Sequence, residues 1–252
     1  MRILLTNDDG VDAPGLAAIR RELQKMGDVV TVAPFTQQSA TGNAISLHRP
    51  LVVHARDEST FAVEGTPADA VKLAMRAILR KAPDMVVSGM NFGLNCGCNI
   101  LYSGTLAGAL EGAQHGVPSY AVSLEVSKKP AWSRAASEAQ RLIERIHATK
   151  RDAGVVFNIN VPARRIRGAV AARQELEPYL DNFERREDPR GRVYYWYHGM
   201  KEWDLPTTEG AVTSDQRAVQ DGYIAVTPLH RDLTRHDLVA DLARLMRNGK
   251  RR

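Results

Sequence analysis

Near its start the chain reads Arg2-Ile3-Leu4-Leu5-Thr6-Asn7-Asp8-Asp9-Gly10, a short apolar run that leads directly into two adjacent acids. The run is short and bounded by polar residues, as buried strands are. In an open parallel sheet, ligands bind in the crevice outside the carboxyl ends of the strands. Two carboxylates at such a place must be offset by protonation or by a cation, and a hard divalent metal does this well. The stretch therefore predicts a metal site at the end of a strand.

Strand and helix patterns alternate along the chain after these acids. The predicted strands are residues 29–33, 83–89, 117–124 and 155–160, and the predicted helices begin at Pro14, at Pro67 and at residue 131. Pro14 and Pro67 are each suited to a first helical turn. Such alternation is typical of an α/β fold. We therefore predict a doubly wound, mostly parallel, Rossmann-like sheet.

The pattern changes after about residue 165 into short β-like runs. Residues 192–198 follow the turn-like Asp188-Pro189-Arg190-Gly191 and predict a β-hairpin. We predict a single α/β domain over residues 1–252, with a core of about 1–164, a β-hairpin appendage over about 165–228 and a C-terminal amphipathic helix over 236–247. The aromatic side chains of the hairpin suit a subunit interface, or they pack back on their own protomer.

Composition limits the classes of function. With 44% hydrophobic and 25% charged residues in 252, the chain has an ordinary globular make-up. Neither a signal peptide nor an apolar span of roughly 20 residues is evident, so we expect a cytoplasmic protein with no membrane partner. The net charge of +5 is dispersed, and we expect anionic small substrates rather than stable nucleic acid. Cys96 and Cys98 lack a second pair for a zinc site and read as buried or loop thiols.

Further oxygen donors follow the other predicted strands. Ser39 lies in the polar loop after the second strand, and Asn91 follows the third. Together with Asp8 and Asp9 they form a ligand set for magnesium, manganese or calcium rather than for a soft metal. Each has an ordinary alternative, because Asp-Asp-Gly is a common turn, Ser39 sits in a polar loop and Asn91 could stabilise a glycine turn.

Residues 89–112 form a second dense region, rich in glycine. Glycines of this kind let backbone N–H groups approach a ligand closely. Ser103-Gly104-Thr105 then precedes a helix of small residues, and the N-terminus of that helix would hold a phosphate well. The alternatives are tight helix packing and simple capping by a hydroxyl.

The order of several motifs resembles the SurE family, the survival-protein nucleotidases. The matching elements are Thr6-Asn7-Asp8-Asp9-Gly10, Ala33-Pro34, Gln38-Ser39-Ala40-Thr41-Gly42, Gly65-Thr66-Pro67-Ala68-Asp69, Ser88-Gly89-Met90-Asn91-Phe92-Gly93-Leu94-Asn95, Tyr102-Ser103-Gly104-Thr105, Asn158-Ile159-Asn160-Val161-Pro162, Ser214-Asp215-Gln216-Arg217-Ala218-Val219, Gly222-Tyr223 and Thr227-Pro228-Leu229. They span most of the chain in order. Residues from about 180 to 212 follow no pattern that maps closely onto the family.

The resemblance implies a metal-dependent phosphatase that acts on nucleoside 5′- and 3′-monophosphates, with short polyphosphate as a further candidate substrate. It implies one divalent cation per subunit, Mn²⁺ or Mg²⁺, on Asp8, Asp9, Ser39 and Asn91. Asp8 or Asp9 would then orient the attacking water or accept its proton. It places Asn95, Ser103, Gly104 and Thr105 at the phosphate, with Gly42 and Asn43 beside the same pocket. For the assembly we expect a homodimer or homotetramer.

Other classes of function compete with this interpretation. A nucleotide-binding protein without hydrolysis would use the same fold class, although Gly10 is not part of a G-x-G-x-x-G fingerprint. A nucleic-acid-binding protein would weaken steeply with salt, and the dispersed charge argues against it. Serine hydrolase chemistry is less favoured, because Ser103 lacks the G-x-S-x-G elbow.

Overall fold

A computed structural model of the chain describes residues 1–149, 154–176, 182–197 and 212–248. The strands in these ranges are β1 Arg2–Thr6, β2 Asp28–Pro34, β3 Val53–Asp57, β4 Thr60–Val63, β5 Met85–Phe92, β6 Ser119–Leu124, β7 Val155–Val161, β8 Ala169–Ala171, β9 Phe183–Glu187, β10 Val193–Tyr197 and β11 Ile224–His230. The α-helices are α1 Pro14–Leu23, α2 Pro67–Leu73, α3 Gly104–Gln114, α4 Trp132–Ala148, α5 Asp215–Gln220 and α6 His236–Asn248. A π-helical turn, Ala74–Ile78, continues α2, and a 3₁₀ helix, Gly97–Tyr102, precedes α3.

The main sheet reverses its winding at β1. Nine of the described strands lie in the order β3-β4-β2-β1-β5-β6-β7-β11-β8. β1 pairs in parallel with β2 on one side and with β5 on the other, so the chain first builds outward through β2 and then returns to build through β5, β6 and β7. The topological switch point lies between β1 and β5, and doubly wound proteins bind ligands at the carboxyl ends of the strands there. The predicted doubly wound, mostly parallel fold is confirmed.

Helices cover both faces of this sheet because strand side chains alternate. Ile3 and Leu5 of β1 belong to the apolar cluster under α1 and α4, whereas Leu4 belongs to the cluster under α2. α3 packs beside α2 and inserts Leu106 against β6 and β7. Strands that are buried on both faces consist of continuous apolar residues, which explains why the sequence predicts β1.

The structure corrects the predicted extent of the appendage. β8 and β11 lie within residues 165–228, yet both belong to the main sheet, where β11 pairs antiparallel with β7 and parallel with β8. The appendage prediction is therefore wrong for these strands, because periodicity reveals short strands but not their pairing partners. Of the described residues in that range, β9 and β10 form the separate two-stranded hairpin that the sequence predicts. Residues 177–181 and 198–211 lie outside the described residues.

Smaller differences concern the segment between β2 and α2 and the end of α2. β3 and β4 lie there, and the sequence pattern predicts neither of them, because β3 is largely exposed and carries charged residues. The helix predicted to extend to about Arg80 is α2 followed by the π-helical turn. α6 matches the predicted terminal helix. None of the helices in the described part of the chain combines the length and apolar character needed to span a bilayer.

Candidate active site

The predicted ligand residues converge at the switch point. Thr6, the last residue of β1, pairs with Ser88 of β5, so Asp8 and Asp9 leave β1 beside the end of β5 that carries Asn91. The loop after β2 reaches the same edge, because the backbone N–H of Gln38 donates to the carbonyl oxygen of Asp8 at 2.7 Å. Carboxyl ends of three neighbouring parallel strands thus bring these side chains to one crevice.

Asp8 is buried against the N-terminus of α3. The Thr105 hydroxyl donates to Asp8 Oδ1 at 2.6 Å. A Cβ at Gly104 would lie 2.8 Å from the Asp8 Cβ and 3.1 Å from Oδ2, so glycine is required for this approach. Burial, with the nearby charge of Asp9, raises the pKa of Asp8 to about 6, although the hydrogen bonds from Thr105 lower it.

Asp9 is half-buried and faces the end of β5. Its Oδ2 accepts from the backbone N–H of Phe92 at 3.1 Å, and its Oδ1 accepts from Gln37 Nε2 at 3.3 Å. Burial raises the pKa of Asp9, while these two hydrogen bonds lower it. Asp9 therefore has a more solvated carboxylate than Asp8, held at a fixed distance from the backbone of β5.

Asn91 owes its position to an irregularity in β5. The pairing register of β5 with β6 shifts between Ser88 and Asn91, as at bulges that re-aim a side chain next to a functional site. Gly89 makes the bend possible, since its φ is +140° and a Cβ there would lie 2.3 Å from the Val122 carbonyl oxygen. Asn91 Nδ2 donates to the Gly93 carbonyl at 2.8 Å, which engages the amide nitrogen and leaves the amide oxygen as the group to bind a cation.

The loop after β2 carries Ser39, Gly42 and Asn43. Ser39 is exposed and follows Gln38, whose backbone N–H binds the Asp8 carbonyl, so its segment borders the crevice. The backbone N–H of Gly42 donates to the Tyr102 carbonyl at 3.0 Å, which joins this loop to the segment before α3. Asn43 also borders a groove of about 820 Å³ that extends along α3 as far as Gln114.

Ser103 and Gly104 form the start of α3. Ser103 is the N-cap, and its Oγ accepts from the backbone N–H of Leu106 at 3.1 Å. The acceptor lone pair is used in this way, and the hydroxyl hydrogen remains for a phosphate oxygen. The predicted phosphate cradle is thus located directly beside the two carboxylates. The Thr105 hydroxyl donates to Asp8, and a phosphate contact by the backbone N–H of Thr105 stays a prediction.

Asn95 is buried and anchors the glycine-rich segment to β6 and β7. Its Nδ2 donates to Ser123 Oγ at 2.8 Å, and its backbone N–H donates to Asn160 Oδ1 at 2.9 Å. Its carbonyl accepts from Asn158 Nδ2 at 2.7 Å. Ser123 engages one of its two amide hydrogens, which leaves the second for the predicted phosphate contact.

The donors fit a hard divalent cation. Asp8, Asp9, Ser39 and Asn91 offer only oxygen atoms, the ligand type of magnesium and manganese. The described residues hold no cluster of three or more His, Cys, Asp or Glu that could bind a metal, so a site here depends on two carboxylates completed by neutral oxygens. Burial raises the pKa values of both acids, and a bound cation would lower them by favouring the charged forms.

Several contributors escape sequence reasoning. Gln37, in the loop after β2, and Phe92, the last residue of β5, both contact Asp9. Asp215 at the start of α5 accepts from the backbone N–H of Gly97 at 3.0 Å and so fixes the glycine-rich segment from a distant part of the chain. A usable signal for such anchors is the polar pair Asn158 and Asn160, which share one face of an otherwise apolar strand. Cys96 is buried, and burial raises the pKa of its thiol well above the usual value, which agrees with a structural thiol.

Fold and site together define the class as a doubly wound α/β protein with paired carboxylates and a helix N-terminus at its switch point. Residues 3–180 match the family model described as Survival protein SurE, and this range includes every predicted site residue. The chain belongs to the SurE family.

Individual relatives agree with this membership. A protein from Rhodopirellula baltica named 5′-nucleotidase SurE is 45% identical over 251 residues, covering 96% of this chain and 97% of its own. One of the same name from Syntrophotalea carbinolica is 44% identical over 236 residues, covering 93% of each chain. The crystal structure of the SurE protein from Aquifex aeolicus superposes with a TM-score of 0.87 at 35% identity, covering 98% of this chain and all of that one.

Proposed function

We propose that this protein is a divalent-metal-dependent phosphatase that hydrolyses nucleoside 5′-monophosphates to nucleoside and phosphate. The observation that carries the proposal is the contact between Asp8 and the start of α3, where a Cβ at position 104 would have no room beside Asp8. A cation site and an anion site are thus adjacent, as cleavage of a phosphate ester requires. Relatives named 5′-nucleotidase SurE support the substrate class.

Asp8, Asp9, Ser39 and Asn91 would hold the cation, one per subunit. Mn²⁺ or Mg²⁺ bound there would polarise the phosphate and lower the pKa of a coordinated water. Asp8 serves mainly to bind, because Thr105 fixes one of its oxygens inside the protein. Asp9 is the more exposed acid and is the group suited to orient the attacking water toward phosphorus.

The start of α3 would stabilise the transferring phosphoryl group. The Ser103 hydroxyl, the backbone N–H of Gly104 and the second amide hydrogen of Asn95 are donors on one side of the crevice. Donors fixed in advance where negative charge develops supply a large share of the rate in such reactions. When water attacks, the ester bond to the leaving oxygen breaks, and that oxygen takes a proton from solvent.

The proposal also includes two substrate classes besides nucleoside 5′-monophosphates. Hydrolysis of nucleoside 3′-monophosphates and of short polyphosphate needs the same phosphate and cation sites. Neither requires a contact beyond those sites, because the reacting group is a terminal phosphoryl in each case.

Phosphate release tests the proposal. AMP, its 3′-isomer and tripolyphosphate are incubated with chelated protein, and then with the same protein given MnCl₂ or MgCl₂. We expect release from AMP only after a metal is added. Folded protein that binds AMP without releasing phosphate under any of these conditions would instead favour a non-hydrolysing nucleotide-binding protein.

A further inference from the structure

Three aromatic side chains are exposed around the crevice. Phe35 follows β2, Phe92 ends β5, and Tyr102 precedes the start of α3; their exposed fractions are 40%, 40% and 64%. Exposed rings beside a nucleotide site are suited to stack on a base, since every base has a π-face. The contacts of each ring decide which of them is available.

Phe92 is closest to the reacting centre and is supported from behind. It follows the predicted ligand Asn91, and its backbone N–H donates to Asp9 Oδ2 at 3.1 Å. Its ring packs against Trp132 at the start of α4, with centroids 5.4 Å apart and planes inclined by 53°. A ring held in this way loses little conformational freedom when a ligand stacks on it.

Phe35 and Tyr102 differ from Phe92 in the contacts of their rings. Phe35 already has a cation over its ring, because the Arg56 guanidinium lies 5.3 Å from the ring centroid, and the His54 ring lies 5.0 Å away. Tyr102 is the most exposed of the three, and among the described residues no aromatic ring packs behind it. Its ring would have to be ordered by the ligand itself.

We propose that Phe92, supported by Trp132, is the platform on which the nucleobase of the substrate stacks. This inference rests on the proposed function and adds the residue that distinguishes a nucleotide from other phosphomonoesters. The phenyl ring of Phe92 has no hydrogen-bonding group to offer to a base edge. The platform therefore tolerates every base and favours purines, whose ring area is larger.

The test compares AMP with ribose 5-phosphate, which carries a similar phosphomonoester without a base. For Mn²⁺-loaded protein, Phe92→Ala is expected to lower the ratio of kcat/KM for AMP to that for ribose 5-phosphate about tenfold, the size of one lost stacking contact. The loss is expected in KM, because the backbone N–H that binds Asp9 is retained. Phe92→Trp restores the ratio, whereas Phe92→Leu, which keeps apolar bulk, does not.

Phe35→Ala is the matched control, with the same residue type and the same exposed fraction, and it is expected to leave the ratio unchanged. The inference is overturned when Phe92→Ala changes both substrates equally or neither, or when Tyr102→Ala produces the selective loss instead. Wild-type protein that releases phosphate from neither substrate contradicts the proposed function itself, and the inference fails with it. Wild-type turnover with an unaltered ratio in Phe92→Ala contradicts the inference alone.

Discussion

At the residue scale, Asp8 combines burial with a partner of like charge, and its pKa rises to about 6. The folded state therefore holds this proton more tightly than the unfolded chain, whose carboxyl titrates near 3.8. Stability from this group is present below pH 4 and is lost as the pH rises through 6. The difference between the two pKa values corresponds to about 3 kcal/mol at most.

Asp8→Asn should consequently stabilise the metal-free protein while it nearly abolishes phosphate release. Urea unfolding of chelated protein is expected to show a gain of up to about 3 kcal/mol at pH 7.5, and almost none at pH 4. The asparagine oxygen can still accept from Thr105, so the packing is retained. A gain that is the same at both pH values would show that ionisation of Asp8 is not its cause.

Gly104 is the second residue whose identity the site dictates. Gly104→Ala is expected to displace Asp8 or the start of α3, because the new Cβ would lie 2.8 Å from the Asp8 Cβ. A displacement of about 1 Å at a reacting centre costs on the order of 10²-fold in rate. Gly116→Ala is the control for strain away from the site: no atom lies within 4 Å of that position, but its φ of +74° disfavours alanine, so we expect lower stability with unchanged turnover. Steady-state phosphate release measures both variants. Equal activity of the two would show that the contact between Gly104 and Asp8 does not affect turnover.

At the scale of elements, β7 holds the glycine-rich segment in place. Asn160 accepts from the backbone N–H of Asn95 and donates to its carbonyl, at 2.9 Å and 3.2 Å. Asn160→Ala would leave the buried N–H of Asn95 unpaired, which costs about 1–3 kcal/mol, while the carbonyl keeps its bond from Asn158. We expect a lower midpoint in urea together with slower turnover, although Asn160 touches no substrate. Loss of stability with full turnover would show that the segment keeps its shape without β7.

The elements that the sequence predicts are those whose signal is local. β1, β5, β6 and β7 are mainly apolar runs, and the starts of α2 and α3 are predicted from Pro67 and Ser103. β3 and β11 depend on pairing instead. β3 is exposed and charged, and β11 pairs with β7 across more than sixty residues. A local sequence pattern therefore predicts neither β3 nor the pairing of β11.

The candidate site likewise contains residues that the sequence predicts and contacts that it does not predict. Asp8, Asp9, Ser39 and Asn91 are predicted by their position after strands, and the structure brings their segments to one crevice. Thr105 as the partner of Asp8, and Phe92 and Gln37 as partners of Asp9, involve long-range contacts. Sequence spacing carries no information on contacts of that kind.

At the scale of the whole molecule, apolar surface lies away from the site. Tyr195, Trp196 and Tyr197 of β10 are exposed, as are Leu242, Leu245 and Met246 of α6. Patches of this kind on a globular protein are typical of subunit interfaces. We therefore maintain the prediction of a homodimer or homotetramer, which sedimentation of the full chain measures. A monomer at every accessible concentration would contradict it.

The central claim is that the switch-point carboxylates form a metal-dependent hydrolytic site. Its most direct test is phosphate release from AMP, measured as Mn²⁺ is added back to chelated wild type, Asp9→Asn and Asp12→Asn. Asp12 is the control because it lies three residues away with 83% of its side chain exposed. We predict that Mn²⁺ restores release in wild type and in Asp12→Asn, and that Asp9→Asn stays about 10²-fold or more below them. Release that persists in chelated wild type, or that survives intact in Asp9→Asn, would contradict the claim.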